Sequence, residues 1–210
     1  MSTRSQPIRI LAVDDHPLIR EGISALLANQ TDMKLVAEAS TGQEAIAQFR
    51  SHRPDVTLMD LQMPDMSGID AIIAIRSEFR DARIIVLTTY AGDALAQRAL
   101  KAGALAYVLK SHVRKDLLET IRAANAGAKR IHPEVAEQIA AHAADDALTP
   151  REIEVLSLIA SGNSNKLVAD KLYVTEETIK GHVRSILSKL GAKDRTHAVT
   201  LGLKRGIIQL

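Results

Sequence analysis

Cysteine and tryptophan are absent from this chain of 210 residues, and its aromatic side chains are two phenylalanines and three tyrosines. Without cysteine there is no disulfide framework and no thiolate metal site, as befits a reducing compartment. The aromatics Phe49, Phe79, Tyr90, Tyr107 and Tyr173 are too few and too scattered to build a stacking platform for single-stranded bases. No stretch reaches the roughly 18 uncharged apolar residues of a membrane-spanning helix. The opening Met-Ser-Thr-Arg-Ser-Gln-Pro holds no apolar signal core, so a cytoplasmic protein without a membrane partner is expected. Excess charge is scarce too, at a formal net +2, but it is unevenly placed. Residues 1–128 balance 15 basic against 15 acidic groups, 129–147 hold 2 against 4, and 148–210 hold 10 against 6. The basic piece is C-terminal, an excess modest enough to be an ordinary solvated surface when taken alone.

What the chain does have is apolar material for a core, 46% of its residues, enough for two small domains. From residue 8 to about 127 it alternates strand and helix. Runs dense in β-branched and apolar residues predict strands over 8–13, 35–39, 56–60, 84–88 and 106–109, of the kind buried on both faces of a parallel sheet. Pro17 suits a first helical position, Thr41-Gly42-Gln43-Glu44 spells a capping box, and Pro54 ends the second helix. Five βα units predict an α/β domain over 1–128 with a five-stranded parallel sheet and helices on both faces. Residues 133–144 read as a helix broken by Asp145-Asp146-Ala147, within a linker over 129–147. From Leu148 only helical periodicity remains. Thr149-Pro150-Arg151-Glu152 combines a capping box with a first-position proline and starts a helix over 150–160 closed by Gly162. Further helices follow Ser164, run from Thr175 to Leu190, and cover about 194–205, which predicts a smaller all-α domain over 148–210.

Chemistry gathers at the strand ends. Asp14 and Asp15 follow the first apolar run, Asp60 the third, Thr88 the fourth and Lys110 the fifth. In open parallel sheets ligands bind at the carboxyl ends of the strands. Three carboxylates, a hydroxyl and an amine at that edge suit Mg²⁺ and a phosphoryl group. A single aspartate at a strand end is more often a turn residue or a helix cap, so the joint occurrence carries the reading. Tyr107 alone would be ordinary core and Thr88 an ordinary strand residue. His16 reads as a loop residue beside Pro17, since the seven histidines show no ligand spacing.

The segments Val13-Asp14-Asp15-His16-Pro17, Met59-Asp60-Leu61-Gln62-Met63-Pro64-Asp65-Met66-Ser67-Gly68, Val86-Leu87-Thr88-Thr89 and Tyr107-Val108-Leu109-Lys110 resemble the receiver domain of two-component response regulators. The tail segments Leu148 to Leu156, Gly162 to Lys166 and Val174 to Val183 resemble the four-helix LuxR-type DNA-binding domain. Together they make the chain similar to the NarL/FixJ family over nearly its whole length. The resemblance implies a flavodoxin-like receiver in which Asp60 accepts a phosphoryl group from the phosphohistidine of a sensor histidine kinase. It implies Mg²⁺ held by Asp14, Asp15, Asp60 and the Gln62 carbonyl. Lys110 and Thr88 would contact the phosphoryl group, and Tyr107 would rotate inward with Thr88 as the switch. Gln62 and Tyr90 stand where the family tunes autodephosphorylation. Many receivers follow the lysine with a cis-proline, whereas Ser111 stands here, so a trans bond is expected.

In the tail, the resemblance makes the helix after Thr175 the one that enters the major groove of double-stranded DNA. Ile179, Val183, Ile186, Leu187 and Leu190 form a core-facing stripe, with Gly181, Arg184, Ser185 and Ser188 opposite and Lys180 on the flank. Thr178, Lys180, Gly181, His182 and Arg184 are the candidate DNA-contacting residues. Gly181 replaces a larger residue usual in the family, and Leu167 replaces the glutamate that would complete a capping box with Ser164. Ala198, Val199, Leu201 and Leu203 of the last helix read either as core alone or as part core and part isologous dimer contact, with a homodimer expected on phosphorylation or on DNA. RNA polymerase is a further candidate partner.

The competing class is an enzyme. A nucleotide-binding protein would place a glycine-rich phosphate loop after the first strand, where Asp14-Asp15-His16-Pro17 stands. An aspartate-nucleophile phosphatase would, by analogy, carry a second aspartate at the position of Gln62. A transcription regulator is therefore expected rather than an enzyme. A DNA-binding protein whose receiver does not use phosphate stays open at this point.

Overall fold

The computed structural model describes residues 6–89, 92–142 and 146–208. The chain divides into two compact units, residues 1–89 with 96–133, and residues 90–95 with 134–210.

The strands of the first unit are β1 (Ile8–Val13), β2 (Met33–Ala39), β3 (Val56–Asp60), β4 (Ile84–Thr88), β5 (Ala106–Leu109) and β6 (Arg130–Ile131). They form one parallel sheet in the order β2-β1-β3-β4-β5-β6. The helices between them are α1 (Pro17–Ala28), α2 (Gly42–His52), α3 (Gly68–Glu78), α4 (Asp93–Ala102) and α5 (Val113–Asn125). The central strands are apolar on both faces because both are covered. One core joins Ile10, Ala12, Leu58, Ile85, Leu87 and Val108 of the sheet to Ile23 and Leu27 of α1 and Leu117, Ile121 and Ala124 of α5.

The sheet has six strands where five were expected. Arg130–Ile131 is too short to show a period, and it pairs only with Ala106 and Tyr107. The Thr41 capping box is half formed. Thr41 accepts from the Glu44 amide, but the Glu44 carboxylate turns to the backbone and hydroxyl of Ser40. Helix α2 ends at His52, with Arg53 left-handed at φ 44° ahead of Pro54, a position where proline disfavours the helical conformation.

Helix α6 (Pro133–Ala141) follows, within the expected 133–144. Residues 143–145 lie outside those described, and with them part of the expected break at Asp145. The second unit then holds α7 (Pro150–Ala160), α8 (Asn165–Leu172), α9 (Glu176–Leu190) and α10 (Arg195–Lys204). Here the Thr149–Glu152 capping box is complete. Ser164, Thr175 and Asp194 cap α8, α9 and α10. Val155, Leu156, Ile159, Val168, Ile179, Ile186, Leu190 and Ala198 form its core.

Candidate phosphoacceptor site and nucleic-acid interface

Parallel pairing brings the strand ends level: Val13 lies opposite Met59, Asp60 opposite Leu87, and Thr88 opposite Leu109. The next residues along, Asp14 after β1 and Lys110 after β5, therefore reach the same edge as Asp60 and Thr88. Lys110 Nζ lies 2.7 Å from Asp14 Oδ2 and donates to Asp60 Oδ2 at 2.8 Å. Asp60 Oδ1 accepts from the Leu61 amide at 2.7 Å and the Gln62 amide at 3.3 Å. Asp14 is 0% exposed and Asp60 2%, whereas the Asp15 side chain keeps 33% of its surface in solvent. The peptide bond between Lys110 and Ser111 is trans, as expected, and the lysine still spans both carboxylates.

Burial pushes the Asp60 carboxyl above its ordinary value, reinforced by the charge of Asp14 and opposed by the Lys110 ammonium. Burial acts to lower Lys110, but its bonds to Asp14 and Asp60 win and raise it, so the amine is held as a cation. Thr88 and Tyr107 are both buried and hydrogen-bonded to each other. Burial raises the Tyr107 phenol far above its usual range, so it stays neutral. Tyr90 lies outside the described residues.

His16 is more than a loop residue. It is the N-cap position of α1, and its Nδ1 stands 2.6 Å from Asp15 Oδ1 and 3.2 Å from Asp14 Oδ1. One ligand atom each from Asp14, Asp15, His16 and Asp60 falls within a 4.8 Å cluster, a carboxylate-rich set that fits a hard divalent cation. Three further residues brace the site. Arg20 donates to the Asp14 carbonyl at 2.6 Å. Asp65 accepts from the Gly42 and Gln43 amides, each at 2.9 Å, and fastens the loop after Asp60 to the start of α2. Gly68 must lack a side chain, because a Cβ there would fall 1.9 Å from the Asp60 carbonyl oxygen. Gly68 and Asp65 stand in the receiver-like sequence segment, but nothing local marks their partners, and Arg20 carries no sequence signal at all.

In the second unit, α8 and α9 are joined by a turn through Tyr173, which is left-handed and 95% exposed. On α9, Ile179, Ile186 and Leu190 are buried, and Val183 and Leu187 pack against them, as the stripe predicted. Thr178, Lys180, Gly181, Arg184 and Ser188 are exposed, and His182 is half-buried. Nothing lies within 4 Å of a Cβ built on Gly181. Ser185 is not on that face. It donates to Glu152 Oε1 on α7 at 2.6 Å, and Lys189 meets Glu152 Oε2 at 2.8 Å. A helical wheel cannot see that bond, because Ser185 sits at the edge of the stripe. On α10, Ala198 is buried, and Val199, Leu201 and Leu203 all pack against the same core.

A parallel sheet presenting an acidic, lysine-bridged edge, followed by a helix-turn-helix unit, defines a receiver coupled to a DNA-binding module. Residues 10–122 match the response regulator receiver domain family, and residues 146–201 match the luxR family of bacterial regulatory proteins. The chain is 39% identical over 207 residues to the response regulator protein VraR of Staphylococcus aureus, covering 96% of this chain and 99% of VraR. Among solved structures it is similar to the response regulator ChrA of a heme-sensing two-component system, with 34% identity, 97% and 100% coverage and a TM-score of 0.58. It is also similar to the response regulator RcsB in complex with DNA, with 27% identity, 95% and 99% coverage and a TM-score of 0.71. The chain belongs to the two-component response regulators that join a receiver domain to a LuxR-type helix-turn-helix domain. It is a regulator of transcription and not an enzyme, with a kinase and DNA as its partners.

Proposed function

We propose that Asp60 accepts the phosphoryl group of a sensor kinase phosphohistidine, and that the modification controls dimerisation and sequence-specific binding to double-stranded DNA. The observation that carries this reading is the buried Asp60 carboxylate, level with Thr88 and bridged by Lys110 to Asp14. The bond from the kinase imidazole to phosphorus breaks as an Asp60 oxygen bonds to it, with no base required. What the site must supply is positive charge and alignment. Lys110 is already a cation between Asp14 and Asp60, and the Thr88 hydroxyl stands level with them to donate a hydrogen bond to a phosphoryl oxygen. A bound Mg²⁺ would neutralise charge on the transferring oxygens, and Asp14, Asp15, Asp60 and the Gln62 carbonyl are the ligands proposed for it. Tyr107, hydrogen-bonded to Thr88, would report the hydroxyl's position to the β5 surface.

The proposed limits are a receiver over 1–128, a linker over 129–147 and a DNA-binding domain over 148–210. Within the last, Thr178, Lys180, Gly181, His182 and Arg184 are the proposed contacts of α9 with the major groove, Arg184 being the residue suited to a guanine edge. RcsB, solved as dimers bound to DNA, supports pairing of two copies on an operator. RNA polymerase is the further partner such a regulator would meet there, and bacterial cytoplasm is the compartment that holds all of these.

Intact-protein mass spectrometry after treatment with acetyl phosphate tests the assignment. One added phosphoryl group is expected, dependent on Mg²⁺ and absent from Asp60→Asn. Equal modification of the Asp60→Asn protein overturns it.

A further inference from the structure

His112 and His132 are far apart in sequence, yet their rings stack with centroids 4.5 Å apart and planes 11° from parallel. The fold imposes this. Lys110–His112 form a single 3-10 turn that leads from β5 into α5. Strand β6 pairs with β5 through Tyr107 and Ile131, so His132 leaves the sheet beside that turn. Both Nδ1 atoms are buried, and neither has a hydrogen-bond partner among the described residues. On its other side His132 Nε2 stands 3.5 Å from Asp116 Oδ2, and the Thr120 hydroxyl donates to the Asp116 carbonyl, which anchors that turn of α5. A carboxylate beside Nε2 favours the tautomer with its proton there and leaves the Nδ1 lone pair free. A cavity of about 240 Å³, lined by Asp116, Thr120, Arg130 and His132 among others, lies against this corner, and the Arg130 guanidinium in it is paired with Glu119 at 3.1 Å.

We propose that His112 and His132 form a binding site for a late first-row divalent cation, typified by Zn²⁺, with Asp116 orienting His132 from behind. Imidazole nitrogen is the ligand such cations prefer, whereas Mg²⁺ takes oxygen, so the site and the acidic edge at Asp60 select different ions. The imidazole donor atoms lie within 4.8 Å of each other. Two nitrogens each about 2.0 Å from one tetrahedral zinc stand about 3.3 Å apart, so a modest side-chain rotation that opens the stack would let both bind. Water would complete the coordination set. An ion here would tie the turn beginning at Lys110 to the end of β6, outside the phosphoacceptor cluster.

The test is a Zn²⁺ titration of tag-free full-length protein against a chromophoric chelator. It is run in excess Mg²⁺ to occupy the acidic edge, and repeated on His112→Gln, on His132→Gln and on His16→Ala, which removes the one imidazole of the cluster at Asp14, Asp15 and Asp60. One equivalent is expected, with affinity falling by about tenfold or more in each of the first two variants and unchanged in the third. Should either glutamine variant fail to fold by circular dichroism, histidine-selective NMR of the wild type decides. Shifts of the His112 and His132 ring nitrogens on Zn²⁺ addition support the site. Shifts confined to His16, or wild-type affinity in both glutamine variants, overturn it.

Discussion

Asp60 is held where its charge is costly. It is almost fully buried and faces Asp14, and although Lys110 compensates, its carboxyl remains raised above the ordinary value. A raised carboxyl binds its proton more tightly folded than unfolded, so it costs stability once pH climbs from the ordinary carboxylate value through the folded one. Asp60→Asn removes that cost. The variant should therefore melt at a higher temperature than the parent at pH 7 without added Mg²⁺, with the gap closing as pH falls below the ordinary carboxylate value. Thermal scans at several pH values check it. The residues that carry this argument were legible in the sequence because Asp14, Asp60, Thr88 and Lys110 each close an apolar run, and parallel register then brings such ends together. Arg20, the close approach of His16 to both acids and the His112–His132 stack were not legible, because side-chain direction and strand pairing decide them.

At the scale of elements, α9 is held from behind by a polar contact rather than by apolar packing alone. Burial acts to raise the Glu152 carboxyl, but Lys189, Ser185 and Thr149 outweigh it and hold it at about 2, below the ordinary 4.5. A depressed carboxyl contributes stability above its unfolded value and loses it as pH falls through the folded one, here between about 4.5 and about 2. Lys189→Met leaves Glu152 with only its neutral partners and should destabilise the protein by about 1–2 kcal/mol at pH 7, less than a fully buried pair because the lysine is partly in solvent. The loss should shrink toward pH 2, and urea denaturation at both pH values measures it. The capping box that includes Glu152 could be read from four residues, since capping is local, whereas the similar box at Thr41 was misread because Ser40 competes for Glu44. Strand β6 escaped for a different reason: two residues acquire strand character only by pairing with β5.

For the whole molecule, the question is how one short reading helix selects a site. The exposed face of α9 offers Lys180 and Arg184, and Lys180 is already shared with Glu177 at 3.4 Å. Two side chains reaching base edges or phosphates discriminate only a few base pairs, at about 1–3 kcal/mol for each good bidentate contact. Under the proposed function pairing of two copies supplies the rest, but α10 has little apolar surface to offer for it. Ala198, Val199, Leu201 and Leu203 are engaged with the core of the second unit, and Arg195, Thr196, Thr200 and Lys204 are what remain exposed. A polar contact of that size does not hold two copies together unaided. The unphosphorylated protein without DNA should therefore sediment as a monomer at micromolar concentration. Two copies should assemble on half-sites whose centres lie about one helical turn apart, with two-fold symmetry in the DNA matching that of the pair. Phosphorylation, by biasing the copies toward pairing, should tighten binding about 5- to 150-fold, the range spanned by typical coupling energies. Titration of a fluorescent operator at fixed salt, alongside one whose half-sites are moved apart by half a turn, separates the contributions. The phosphorylation effect should persist on the first and collapse on the second, because a half-turn places the second α9 on the opposite side of the duplex.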